Sequence, residues 1–213
     1  MPALSASLTI GCVLAVAVLV GAERQQWHSL KRLAKIAAST AFVLVAVALD
    51  ATESAYGQAI LVALVLSWMG DACLLSERST LFLSGLAFFL LAHVGFSVAF
   101  AFGALDPLAG AAGLALMAIV GTLVLRWLWP HLGAAYRVAV GAYLLAIVAM
   151  CSLALASGFA SGSWRVGVGA LAFATSDISV ARDRFVARGF ANKAWGLPLY
   201  YAAQLLLVWS IAG

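Results

Sequence analysis

Apolar runs of about twenty residues recur along almost the whole chain, broken only by short stretches that carry its charges. This alternation constrains the fold more than any other feature, because a helix needs roughly 20 apolar residues to cross about 30 Å of hydrocarbon. Of 213 residues, 65% are hydrophobic and 9% charged, and the mean hydropathy is +1.09. A soluble domain usually carries roughly 25% charged residues. A soluble globular fold is therefore excluded, and eight crossings would leave only short loops.

Dividing the chain at its charges and at its Gly, Pro and Ser clusters predicts spans near 2–21, 33–50, 57–75, 80–104, 108–128, 136–157, 164–181 and 194–212. The expected fold class is all-α, a polytopic membrane bundle of about eight transmembrane helices forming a single domain over residues 1–213. The first run, Met1 to Ala22, has no Lys or Arg before it and no small-residue cleavage site after it, so it reads as a permanent helix rather than a signal peptide. The second has only 14 uncharged residues between Lys35 and Asp50, and it reaches spanning length if Lys35 snorkels to the interface. The seventh reaches full length only by including Asp177. The four prolines, Pro2, Pro107, Pro130 and Pro198, fall at or near predicted span ends.

Eleven of the twelve Lys and Arg residues lie in odd-numbered loops, whereas Arg165 lies on the other side with Asp50, Glu53 and Asp106. Because cytoplasmic loops retain Lys and Arg, both termini are expected to face away from the cytoplasm. The formal charge of +4 is thus a topology signal, spread over loops instead of gathered on a surface that could bind nucleic acid. Cys12, Cys73 and Cys151 fall in different spans without C-x-x-C spacing. They read as packing residues, and neither a disulfide framework nor a metal site is expected.

Two acidic residues do not belong to loops: Asp71, after Trp68-Met69-Gly70, and Asp177, in Thr175-Ser176-Asp177-Ile178. A carboxylate in a membrane span is costly enough to mark a functional site by default. The third and seventh spans run the same way and place the two aspartates at one depth, about a turn before the cytoplasmic end. Their similar settings suggest a 4+4 parallel repeat. Two carboxylates close together in low dielectric cannot both easily be ionised, which yields an acid and a base. Such a pair suits hydrolysis through an oxocarbenium-like species, and it would suit a proton-coupled carrier equally well.

His93 lies mid-span with no charge within a dozen residues, where an imidazole is a candidate site residue; His28 and His131 are expected in loops, so no three-ligand metal set is visible. Lys35, Arg182, Arg184, Arg188 and Lys193 share the aspartates' side and could hold a lipid phosphate, with Lys35 nearest a helix interior. Tyr200, Tyr201 and Gln204 in the last span are candidate hydrogen-bonding walls.

The ordered set Gly70-Asp71, Phe82-x2-Gly85-x2-Phe88-Phe89-x3-His93, Ser176-Asp177 and Tyr200-Tyr201-x2-Gln204, with Tyr143 to Met150 between, resembles the YhhN-like lysoplasmalogenase family over most of the chain. The resemblance implies hydrolysis of the vinyl ether bond of a lysoplasmalogen, giving a fatty aldehyde and a glycerophospho-ethanolamine or glycerophospho-choline. It further implies catalysis by Asp71 and Asp177, with Lys35, His93, Tyr200 and Gln204 as substrate-binding residues, no cofactor and no metal. The partners it implies are a lysophospholipid substrate and membrane lipids. The expected location is a bacterial inner membrane, with the active site toward the cytoplasm. Where the family leads one to expect a proline closely following the lysine of helix two, this chain has Lys35-Ile36-Ala37.

Three other readings use the same residues. A proton-coupled small transporter or lipid-binding protein would bind protons at the aspartates, but prolines at span ends favour unbroken helices over the broken ones of carriers. An intramembrane aspartyl protease would carry G-x-G-D, which Trp68-Met69-Gly70-Asp71 lacks. A scaffold would have no use for two costly carboxylates and a buried His.

Overall fold

The structure is a computed structural model that describes residues 2–76 and 78–212. Among these, eight α-helices account for nearly the whole chain: α1 (Pro2–Gln25), α2 (His28–Ala48), α3 (Ala55–Cys73), α4 (Ser79–Phe100), α5 (Pro107–Leu128), α6 (Ala134–Ser161), α7 (Trp164–Ala181) and α8 (Phe190–Trp209). Their limits follow local chemistry. Ser54 caps α3 by accepting from the Gly57 amide at 3.0 Å, and Asp106 caps α5 through the Ala109 amide at 2.8 Å with Pro107 opening the helix. Gly162 ends α6 at φ 71°, a left-handed conformation that glycine adopts without steric cost.

Consecutive helices pair as hairpins, α1 with α2, α3 with α4, α5 with α6 and α7 with α8. The last helix packs back on α1, α2 and α3, whereas α4 meets α6 and α5 rests chiefly on α6. The two halves thus share their order of pairing and the placement of an aspartate on their third helix, but not their closure. α8 closes the first half, while α5 stands at the edge.

Burial runs opposite to that of a water-soluble protein. Leu108, Val138, Leu145 and Phe159 are among the large apolar side chains left exposed, while Ser39, Ser67, Asp71, His93, Asn192 and Gln204 are buried. Hydrocarbon explains this pattern, because lipid rewards an apolar outer face and forces polar groups to find partners inside. Among the described residues, six helices, α1, α3, α4, α5, α6 and α8, are long and apolar enough to cross a membrane. The other two are the more polar ones: α2 carries Lys31, Arg32 and Lys35, and α7 carries Arg165 and Asp177. At about 1.5 Å per residue, α7 still reaches roughly 27 Å. The chain is a polytopic, all-α integral membrane protein.

Three expectations need correction. Lys35 does not snorkel outward; its side chain turns into the bundle, where Asp71 offers an ion pair that the interface cannot match. Helix α2 begins at His28, so His28 is helical rather than in a loop, because its charged first turns face the end of the bundle instead of lipid. Helix α8 begins at Phe190, four residues before the predicted span, which leaves Pro198 inside the helix. Proline there removes one helix hydrogen bond, yet α8 continues through it.

The charge asymmetry predicts the orientation of this bundle. Single cysteines introduced at Arg188 and Arg165 in an otherwise cysteine-free variant should react with a membrane-impermeant maleimide from the cytoplasmic and opposite faces, respectively. Labelling of both from one face would rule out this topology.

Candidate active site

A cavity of about 580 Å³ opens at the end of the bundle where the basic residues gather, and both Asp71 and Asp177 line it. Its volume is within the roughly 300–1,000 Å³ typical of small-molecule sites. Its walls differ sharply. The mouth includes Glu23, Lys31, Arg184, Arg188 and Lys193, whereas α5 and α6 contribute Leu116, Met117, Val120, Val124, Leu144 and Ile147. A molecule filling this space would be charged at one end and apolar along one side.

Asp71 sits in the last turn of α3, with its side chain 2% exposed. Lys35 Nζ lies 3.1 Å from Oδ1. Oδ2 accepts from Ser39 Oγ at 2.6 Å and from Tyr200 Oη at 2.8 Å. Lys35 and Ser39 are four residues apart, and so lie on one face of α2. Tyr201 closes the network, with its Oη 2.9 Å from Ser39 Oγ and 3.3 Å from the Lys35 carbonyl, to which it donates. Lys35, Ser39, Tyr200 and Tyr201 thus satisfy this carboxylate and one another, as groups removed from water require.

Asp177, one turn before the end of α7, is the more open of the two, with its side chain 15% exposed. Tyr143 donates to its Oδ2 at 3.1 Å, and His93 Nε2 lies 3.3 Å from the same oxygen. The tautomer of His93 follows from its other nitrogen. Nδ1 is 2.6 Å from the Phe89 carbonyl, which can only accept, so Nδ1 carries hydrogen. Nε2 is fully buried and approaches Asp177 off the hydrogen-bonding axis.

An aromatic group joins the two carboxylate sites. The rings of Phe89, Phe173 and Tyr200 pack mutually at 5.5–6.1 Å, and Phe173 lies 4.5 Å from the His93 ring. Gly70 is what admits Phe89: a Cβ there would come within 2.7 Å of the ring. Gly196 similarly lets α8 approach Ser179 of α7, where any side chain would collide. The connection between α7 and α8 is a π-helical turn, Arg182–Val186. Asn192 staples it by donating to Asp183 and to the Ala187 carbonyl, at 3.1 and 2.7 Å, and by accepting from Arg182.

Of the predicted residues, Lys35, Asp71 and Tyr200 form one cluster, and His93 pairs with Asp177. Gln204 lies one turn deeper than Tyr200, fully buried, off the cavity lining, and with neither amide atom hydrogen-bonded. Tyr201 is in the network behind Asp71. Among the basic residues, Arg184, Arg188 and Lys193 line the mouth, while Arg182 is turned to Asn192. Ser39 and Tyr143 were not legible as site residues. The available signals were Ser39 standing one turn after Lys35 and Tyr143 opening the stretch to Met150 that fits the family pattern.

Comparison with known proteins gives a consistent set of matches. Residues 30–211 match the model of a family described as the YhhN family. The chain is 34% identical over 157 residues to lysoplasmalogenase TMEM86A of Bos taurus, covering 71% of this chain and 64% of that one. It is 37% identical over 160 residues to lysoplasmalogenase TMEM86B of Homo sapiens, covering 73% and 64%. The chain thus spans slightly less than two thirds of the length of these curated relatives. No solved structure matches it.

The Lys35–Asp71 pair should dominate stability. Replacing Lys35 with Met strands a buried carboxylate and should cost about 3–5 kcal/mol, while Lys35→Met combined with Asp71→Leu should recover most of it. Denaturant unfolding in detergent measures both, and equal midpoints for the single and double variants would contradict the assignment.

Proposed function

Because the chain belongs to the YhhN family, we propose that it is a hydrolase of the lysoplasmalogenase type, cleaving the vinyl ether bond of a lysoplasmalogen within the membrane. The observation that carries this reading is that two aspartates with separate partners line one cavity, which joins a charged mouth to an apolar wall. The names of the bovine and human relatives support the same substrate class. The products are a fatty aldehyde and a glycerophospho-ethanolamine or glycerophospho-choline.

The chemistry is acid–base. A proton from the Asp177–His93 pair goes to the β-carbon of the alkenyl group, the C=C bond opens, and an oxocarbenium ion forms at the ether oxygen and α-carbon. Water adds to that carbon and loses a proton to a carboxylate. The resulting hemiacetal breaks its carbon–oxygen bond to glycerol, whose oxygen takes up a proton, releasing aldehyde and alcohol. The net change is addition of one water.

Asp177 is assigned the donor role because it is the more exposed carboxylate and lies beside the His93 imidazole. Asp71 is the fixed charge. Its Oδ2 is taken up by Ser39 and Tyr200, while Oδ1 faces the Lys35 ammonium and keeps capacity to accept from water. Lys35, Ser39, Tyr200 and Tyr143 position the two carboxylates. Lys and Arg bias supports a site facing the cytoplasm, in the inner membrane of a bacterium.

The test is aldehyde release from a vinyl-ether lysophospholipid by the purified protein in detergent, beside an ester-linked lysolipid. Aldehyde should appear from the vinyl ether alone, and Asp71→Asn and Asp177→Asn should each lower the rate by about 10²–10⁴-fold, the range for loss of a positioned acid or base. Folded wild type that releases no aldehyde would instead leave the aspartates to a proton-coupled carrier.

A further inference from the structure

Hydrolysis between Asp71 and Asp177 requires something to hold the far end of the lipid. At the mouth of the cavity three helices bring together Glu23 of α1, Lys31 of α2 and Lys193 of α8. The Glu23 side chain is only 8% exposed. Its Oε1 lies 3.1 Å from Lys31 Nζ and its Oε2 lies 3.2 Å from Lys193 Nζ. One nearly buried carboxylate is thus shared between two ammonium groups, so the triad carries a net charge of +1. Each ammonium has three N–H donors, and Glu23 engages one contact from each.

The placement of the triad relative to Asp71 is fixed by helix geometry. Lys31 precedes Lys35 by four residues, which puts it on the same face of α2 and about 6 Å nearer the mouth. Lys193 precedes Tyr200 by seven residues, which puts it on the same face of α8 and roughly 10 Å nearer the mouth. Lys35 and Tyr200 are the two cavity-lining residues that hold Asp71. The cationic pair therefore stands one to two helical turns outward from the carboxylate.

Resting on the proposed function, the geometry points to the Glu23–Lys31–Lys193 triad as the subsite for the phosphodiester of the lysophospholipid headgroup. A phosphodiester carries one negative charge and neutralises the triad. In a 1-alkenyl lysophospholipid the phosphate follows the ether oxygen by the three carbons of glycerol, a reach comparable to one helical turn. With the ether beside Asp71, the phosphate falls at the lysines and the alkenyl chain at the apolar wall of α5 and α6. Glu23 acts as a positioning residue that holds two like charges together, one on each of its own oxygens. Arg184, set 4.4 Å over the Phe82 ring and 3.3 Å from Ser79 Oγ, lines the opposite rim and adds positive potential.

Binding tests this separately from catalysis. The full-length protein in a maltoside detergent is titrated with a 1-alkyl lysophosphatidylcholine, whose saturated ether cannot be cleaved, with the corresponding 1-alkylglycerol, and with inorganic phosphate. Wild type should bind the phospholipid at least about tenfold more tightly than the alkylglycerol, the effect of one charge-assisted hydrogen bond or more. Lys31→Gln and Lys193→Gln should each remove most of that preference, and Lys31→Arg and Lys193→Arg should keep it. Phosphate alone should bind far more weakly than the lipid.

A preference that survives both Gln substitutions, or a wild type that binds the neutral ether as tightly as the phospholipid, overturns the subsite. Phosphate binding as tight as lipid binding also overturns it, leaving a simple anion site. If the Gln variants do not fold, the wild-type preference and the Arg variants still decide. Absence of aldehyde release would sink the proposed reaction without altering this measurement, so the two failures are distinguishable.

Discussion

A charge placed in hydrocarbon must be met by another charge or by converging donors, and the Lys35–Asp71 pair is where this chain meets that demand most fully. Around it the packing of three helices is determined. Lys35 and Ser39 fix the face that α2 presents, Asp71 fixes the end of α3, and Tyr200 with Tyr201 fixes the rotation of α8. The closure of α8 onto α1, α2 and α3, which is the asymmetric feature of an otherwise repetitive bundle, brings these groups together. The second carboxylate is supported differently, by an imidazole and a phenol from α4 and α6. One fold therefore offers two acidic groups in different surroundings, and enzymes that use two carboxylates in two roles depend on such a difference.

The sequence discloses residues in proportion to what they cost in a membrane. Asp71, Asp177 and His93 could be found because a span tolerates such groups only with a partner. Ser39 could not, since a serine hydroxyl in an apolar helix can return to its own backbone and raises no alarm, and Tyr143 could not, since its ring is at home among apolar side chains. Lys35 reads as snorkelling to the interface because its partner Asp71 lies on another helix, beyond any local pattern. Hydropathy likewise makes α2 and α8 look shorter than they are, because it assigns His28, Lys31 and Lys193 to loops when they belong to helical turns lining the mouth. Pro198 appeared terminal for that reason alone. Gln204 was legible as a polar group in the last span, but no pattern in the sequence indicates that it stands behind the cavity and not beside it.

The cavity's two characters come from different parts of the chain. Its apolar side belongs largely to α5 and α6, which carry no acidic residue, and its charged rim belongs to the ends of α1 and α7 and the starts of α2 and α8. This division follows the bilayer itself, with headgroup chemistry at the rim and hydrocarbon chemistry below. An amphiphile in the adjoining leaflet would already be aligned with it.

Phe89 is more than a wall of the cavity. Its ring rests on Gly70, beside Asp71, and its carbonyl receives the Nδ1 hydrogen of His93, which faces Asp177. A single residue thus sets where one carboxylate lies and which nitrogen of the other's partner is available. The two halves of the site are mechanically linked through its backbone and side chain, so they are not thermodynamically independent. A disturbance at Gly70 would alter the imidazole as well as the aspartate beside it, and defects introduced at the two sites would not sum.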